Sequence, residues 1–467
     1  MKIIALVTST KKVADDYILS TITAGGRLIV ISREYVTPGS YIEVSGSAIK
    51  KDVSEIVAEK IRKLKEDEIK RTKWDIDKYI DRNCRIEKQL FIRDKILNSL
   101  VSYFEDAARK IKKAIFLHRP IIVRFHNDTD GLCSALALYF TIGSARNVKF
   151  FINTYPYYRN IDCTMDIDSI NHLDAEYLNP LFIACDFGAN EESIPQYKKL
   201  KKAGFEIIII DHHPPHKDIK TIVDAFVSPY LVGGDSNYVT GLLATEVAHF
   251  IAHVDLYNLH LIALTGDRSR WALFRPSVQS NKIALAIEYL LQTSRQKYTI
   301  NELAKSFLDK EFIDLLATEA REKIDSVLKR LKAKTKRKQF NNVTIFMFST
   351  DAMFKEGEYP GRGDMASMIS DELAEKINTP AITIGHGEHS INLRLNTAAI
   401  DKGFDLRYYI AKVKEALPYA IEAGGGHAGA ASIRAKKGHG KRVLEQLLKE
   451  IQKSAESSPT TFSTSYD

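Results

Sequence analysis

Residues 121–131 read Ile121-Ile122-Val123-Arg124-Phe125-His126-Asn127-Asp128-Thr129-Asp130-Gly131. The first five fit a strand buried on both faces, as in a parallel sheet. An acidic loop follows at once, and Gly131 permits a tight turn into a helix from Leu132. Asp128 and Asp130 stand two residues apart, so their carboxylates can reach two cations on one side of the loop. A strand that ends in ligand-type residues before a helix is where open α/β sheets place their ligands.

Three further clusters extend this pattern. Asp186 directly follows the apolar run Leu181–Cys185. Asp211-His212-His213 follows Ile207–Ile210, and Pro214-Pro215 then forbids immediate regular structure. Asp267 follows an apolar stretch, Gly241–Leu264, that reads as one helix. Any one aspartate after a strand is ordinarily a helix N-cap. Together the clusters supply carboxylate and imidazole ligands that suit manganese or magnesium, and no cysteine takes part as a structural zinc site would require. Two cations held about 3.5–4 Å apart can clamp the attacking and departing oxygens of a phosphoryl group. The chain has no GxSxG elbow and no GK[ST] loop, which sets aside acyl transfer and P-loop NTP hydrolysis.

The rest of the 467 residues bounds the setting. The chain is 45% hydrophobic with 9% aromatics, enough for two or three cored domains. It carries a formal charge of +8, compatible with a polyanionic partner. Cys84, Cys133, Cys163 and Cys185 form no CxxC pair. No apolar run reaches about 18 residues, and Met1–Thr8 reads as a first strand and not as a signal peptide. These features point to a reducing cytoplasm. Residues 1–50 read as a small β-containing unit, with strands at Lys2–Thr8, Arg27–Ser32 and Tyr41–Val44. Residues 51–118, free of Pro and Gly, read as a charged helical segment. From residue 119 onward strands and helices alternate, predicting an α/β fold around a parallel sheet. Residues 299–339 read as a helical connector, with seven cations and no acid from Lys329 to Lys338. Strands return over 340–454, and 455–467 reads as a disordered tail. Ala423-Gly424-Gly425-Gly426-His427 precedes the last strand. Three glycines let backbone N–H groups approach an anion, and His427 adds a donor.

HxDxDG at His126–Gly131, Asp186, the DHH triplet at Asp211–His213, Asp267 and GGGH at Gly424–His427, in this order, resemble the DHH phosphoesterase superfamily. Within it the chain resembles the archaeal RecJ-like branch, since bacterial RecJ has aspartate where His126 stands. The resemblance covers residues of about 119 to 435. It implies a catalytic DHH domain over 119–298 and a smaller α/β DHH-associated domain over 340–454, joined by the helical connector. It further implies that His126 and Asp128 hold one metal, that Asp130, His212 and Asp267 hold a second, and that Asp186 bridges them. His213 would face the scissile phosphate, with Asp211 orienting the histidines as an outer acceptor. Arg394, Gly424, Gly425, Gly426 and His427 would bind substrate phosphate. Two divalent cations, Mn2+ ahead of Mg2+, are the implied cofactors.

The resulting expectation is a RecJ-like exonuclease that releases mononucleotides from single-stranded DNA or RNA. Replication or repair proteins are the expected further partners, and no membrane is. The alternatives are an oligoribonuclease or cyclic-dinucleotide phosphodiesterase, and an inactive replication scaffold. Tyr155-Pro156-Tyr157-Tyr158-Arg159 offers aromatics that could stack bases, set against a plain role in core packing.

Overall fold

A computed structural model describes residues 2–49, 54–86, 89–271, 273–294, 298–353 and 359–456. They divide into two compact units, residues 1–281 with 298–304, and residues 282–297 with 305–467.

The first unit opens with five strands: β1 (Lys2–Val13), β2 (Asp16–Ile22), β3 (Arg27–Ser32), β4 (Tyr41–Ala48) and β5 (Glu55–Lys63). β1 pairs with both β2 and β4, β3 runs parallel to β5, and β5 pairs with β4. That order closes a barrel with the connectivity of the OB-fold. Ala5, Val7, Leu19, Val30, Ile42, Val44 and Ile56 fill it. The helical reading of 51–118 is therefore corrected at its start. Lys, Glu and Ala are helix formers, but Ile56 faces the barrel interior and the ladder with β3 and β4 wins over local propensity. Helices α1 (Glu66–Asn83) and α2 (Lys95–Phe116) occupy the rest of that segment. Asp94 caps α2 by accepting from the amides of Ile96 and Leu97.

The α/β layer then runs β6 (Ile121–His126), α3 (Thr129–Ile142), β7 (Val148–Asn153), α4 (Asn160–Asn171), β8 (Glu176–Tyr177), β9 (Leu181–Cys185), α5 (Ile194–Lys202), β10 (Glu206–Ile210), α6 (Ile219–Ile222) and β11 (Ala225–Val227). β8 joins the barrel by pairing with β1. The other five form a parallel sheet in the order β11-β10-β9-β6-β7. The connections diverge on either side of the β6–β9 pair, so the switch point of the sheet lies between those two strands. The apolar stretch 241–264 is two helices, α7 (Thr240–Ile251) and α8 (Leu259–Gly266), and not one. The chain leaves the helix at Ala252, and Tyr257 and Asn258 take left-handed backbone. α9 (Val278–Thr293) and α10 (Ile300–Leu308) follow.

Glu246 on α7 is fully buried and accepts from the amides of Phe91 (2.9 Å) and Ile92 (2.9 Å). Burial lifts its carboxyl to about 7, with the two amides opposing the rise. A folded-state value above the unfolded one means that the folded protein holds an extra proton. The stability this contributes is present below about pH 4.5 and is lost as pH climbs through 7. Glu246→Ala strands both donors, and is expected to lower unfolding free energy by about 2 kcal/mol at pH 5. The loss should shrink at pH 8, where the wild type bears the buried charge. Denaturant titrations at the two pH values check this, and an equal loss at both would refute the buried-carboxyl account.

The second unit contains α11 (Lys310–Lys334), β12 (Lys336–Phe340), β13 (Val343–Ser349), α12 (Arg362–Ile369), β14 (Ala381–His386), β15 (Ser390–Leu395), α13 (Thr397–Asp401), α14 (Leu406–Ala416), β16 (Ile421–Gly426), β17 (Ala430–Ala435) and α15 (Gly440–Glu456). Its sheet order is β12-β13-β14-β15-β17-β16. The helical reading of the 299–339 connector is corrected at its end. Lys336, Arg337 and Lys338 belong to an exposed edge strand, where charge discourages further pairing. α12 gives way to a π-helical turn over Ser370–Ala374. Residues 457–467, where a disordered tail is expected, lie outside the described residues. Among the described residues no helix is long and apolar enough to cross a membrane, and all four cysteines are buried thiols.

Candidate metal centre

Sheet register brings the chemistry together. Phe125 pairs with Cys185, and Cys185 with Ile210, at the carboxyl edge of the sheet. The residues after them, His126, Asp186 and Asp211, therefore emerge side by side. Asp128 caps α3, accepting from the amide of Gly131 (2.9 Å). Any larger residue at 131 would clash, since a Cβ there would stand 2.3 Å from the His126 carbonyl oxygen. Asp130, in the first turn of α3, is 2% exposed and accepts from the amides of Thr240 (2.8 Å) and Gly241 (2.7 Å). The N-terminus of α7 thus fixes this carboxylate. Asp186 adopts left-handed backbone at φ 65° and receives the Thr240 hydroxyl at 3.2 Å. Non-glycine residues rarely hold that conformation, and their presence marks sites that the surroundings over-determine.

Among the groups of ligand-type side chains that result, two carry the expected ligands. In each, one ligand atom per residue lies within 4.8 Å of the others: His126, Asp128 and Asp186 in one, Asp130, His212 and Asp267 in the other. His212 Nε2 lies 3.3 Å from Asp186 Oδ1, 3.7 Å from Asp130 and 3.6 Å from Asp267, so Asp186 touches both groups. His126 Nδ1 hydrogen-bonds Asp128 and lies 3.6 Å from Asp186. Behind them, Asp211 is fully buried. It accepts from the Ala189 amide and from the His213 amide and ring Nδ1 (3.0, 3.0 and 2.8 Å).

The donor set fits divalent cations. His212 Nδ1 lies 2.7 Å from the Ser236 carbonyl, an acceptor only, so Nδ1 carries the proton and Nε2 offers its lone pair to the carboxylates' side. Burial pushes the Asp130 carboxyl well above its ordinary value, and the charge of Asp186 adds to the rise. Asp267 is raised by burial and by Asp186 in the same way. Burial would lift Asp186 too, but hydrogen bonds from His126 and His212 hold it well below the usual carboxylate range. Crowded, desolvated acids of this kind are stabilised by cations between them. Ser236, Thr240 and Gly241 were not legible as site residues. They act through a carbonyl, a hydroxyl and two amides at a helix start that carries no sequence signature.

In the second unit the three glycines Gly424–Gly426 belong to strand β16. Gly426 has φ 134°, and a Cβ there would meet the Ala430 carbonyl oxygen at 2.5 Å, so only glycine fits. Arg394 on β15 pairs with Ala430, and the Leu395 amide donates to the Gly429 carbonyl (2.9 Å). This places Arg394 beside the turn that contains His427. Its guanidinium donates to the Ser367 hydroxyl (2.8 Å) and to the carbonyls of Leu393 (2.8 Å) and Gly363 (3.3 Å).

Residues 120–259 match the DHH family, N-terminal domain. The chain is 27% identical over 478 residues to the uncharacterized protein MJ1198 of Methanocaldococcus jannaschii, across 89% of this chain. It is also 27% identical over 227 residues to MJ0831 of the same organism. It spans 63% of the first relative's length and 46% of the second's. A solved DHH-domain structure, described as belonging to a family of ribosomal proteins, superposes with a TM-score of 0.75 at 27% identity, covering 83% of this chain and 99% of that one. A Thermus thermophilus RecJ solved with Mn2+ shares the fold at TM-score 0.51 and 15% identity, over 77% of this chain and 55% of that one. The first unit therefore holds a DHH domain. The chain shares its fold with RecJ.

Proposed function

We propose that this chain is a two-metal phosphodiesterase that removes mononucleotides from an end of single-stranded DNA or RNA. The observation that carries the reading is the pair of three-residue ligand groups that meet at Asp186. His126, Asp128 and Asp186 would hold one cation, and Asp130, His212 and Asp267 the other, with Asp186 common to both. Imidazole alongside carboxylate favours Mn2+ over Mg2+. The cations supply Lewis acidity toward a phosphoryl group and a nucleophile at neutral pH. His213 keeps its Nδ1–H against Asp211, and in the imidazolium form its Nε2–H would donate to a phosphate oxygen. Arg394 and the Gly424–His427 segment would grip substrate phosphate, and the Lys336–Lys338 edge would track a longer strand.

Hydrolysis of a roughly 20-nucleotide strand and of a dinucleotide is compared across a salt series in Mn2+. Cleavage of the strand should weaken steeply with salt, because each neutralised phosphate releases counterion. Replacing Lys336, Arg337 and Lys338 by Gln should flatten that slope. Equal, shallow slopes for both substrates would favour a dinucleotide phosphodiesterase, and no Mn2+-dependent cleavage of either would reject the reading.

A further inference from the structure

The loop between β7 and α4 lies against the metal centre. Asn153, the last residue of β7, pairs with His126 and accepts the Asn127 amide on its carbonyl (3.0 Å). The Asn153 side chain, 1% exposed, turns back to donate to the carbonyls of Tyr155 and Tyr157. Asn190, four residues after Asp186, donates to the Pro156 carbonyl (3.1 Å), and the Tyr158 amide donates to the Ser193 hydroxyl (2.9 Å). The loop is thus tied both to the strand end that carries His126 and to the segment that follows Asp186. Tyr158 is fully buried, whereas Tyr155 and Tyr157 keep part of their surface in solvent. Their rings meet edge to face at 5.6 Å. The Arg159 guanidinium lies 4.1 Å over the Tyr155 ring and is itself clamped by Asp162 (2.7 and 3.1 Å). A rigid aromatic group costs little entropy to present to a ligand, and any nucleobase offers a π-face to it.

We infer that Tyr155, braced by Tyr157 and Arg159, forms a nucleobase-stacking platform at the mouth of the metal centre. The platform makes the site select phosphodiesters that carry a base over base-free phosphate chains. This rests on the phosphodiesterase reading and adds to it the part of the substrate that the site recognises.

The test pairs cleavage with binding. One strand has ordinary termini, and a second has abasic residues at both ends. Tyr155→Ala should lower kcat/KM on the ordinary strand by about tenfold to a hundredfold. The same variant should leave the abasic-ended strand, already poor, unchanged, and Tyr155→Phe should behave as wild type. An equal fall on both strands, or a wild type that does not distinguish them, would overturn the inference. Binding is read separately by quenching of 2-aminopurine placed at either terminus, with Ca2+ replacing Mn2+. Wild type and Tyr155→Phe should quench it, and Tyr155→Ala should not. A protein that cleaves nothing but quenches in this Tyr155-dependent way would sink the phosphodiesterase reading and keep the platform. Absence of quenching by the wild type would sink the platform.

Discussion

Asp186→Asn is expected to abolish Mn2+-dependent hydrolysis, with a fall of at least about a thousandfold, while the protein stays folded. Asparagine is the informative replacement. It keeps the volume of a side chain that is 2% exposed, and it tolerates the left-handed backbone at φ 65° better than alanine does. It can still accept the Thr240 hydroxyl. It lacks the second anionic oxygen that a shared ligand needs, so both cation sites weaken together. Calorimetric titration with Mn2+ should show two bound equivalents in the wild type and at most one weakly bound in the variant, with an unchanged melting temperature. Two equivalents at wild-type affinity would remove Asp186 from the shared position.

Arg124→Ala should destabilise the first unit by about 3–5 kcal/mol. Arg124 points from β6 into the interior, 3% exposed, with Nε 2.5 Å and Nη2 2.9 Å from the two carboxylate oxygens of Asp166. The Tyr158 hydroxyl donates to the same carboxylate (2.5 Å), and Asp162 lies 3.6 Å from Nη1. Removing the cation leaves Asp166, wholly buried, as an unpaired charge. Burial already pushes its carboxyl above the ordinary value against the pull of Arg124. Replacing both partners, as in Arg124→Leu with Asp166→Leu, should recover most of the loss, because the unpaired charge is then gone. Chemical denaturation of the single and double variants checks this. A single variant as stable as the wild type would mean that the network contributes nothing. Since Arg124 is two residues from His126 and the network includes Tyr158, the same variant should also loosen the loop that carries Tyr155.

The candidate ligand set and the strands that present it are written in the amino-acid order. β6, β9 and β10 appear within a residue of their apolar runs, because a strand buried on both faces writes a nearly unbroken hydrophobic signal. His126, Asp128, Asp130, Asp186, Asp211, His212, His213 and Asp267 all fall at the ends of such runs or of helices, and the structure gathers them. Long-range packing settled what local pattern leaves open. Glu55–Lys63 became a strand only because β3 and β4 offered ladders on both sides. The apolar stretch 241–264 broke into α7 and α8, which puts the Thr240 and Gly241 amides on Asp130 and Asp267 near His212. The left-handed turn at Asp186, the Ser236 carbonyl behind His212 and the tie between Asn190 and the Pro156 carbonyl in the Tyr155 loop depend on contacts between residues tens of positions apart. Backbone donors and acceptors look the same in every residue of a sequence, and only packing selects which of them face a site.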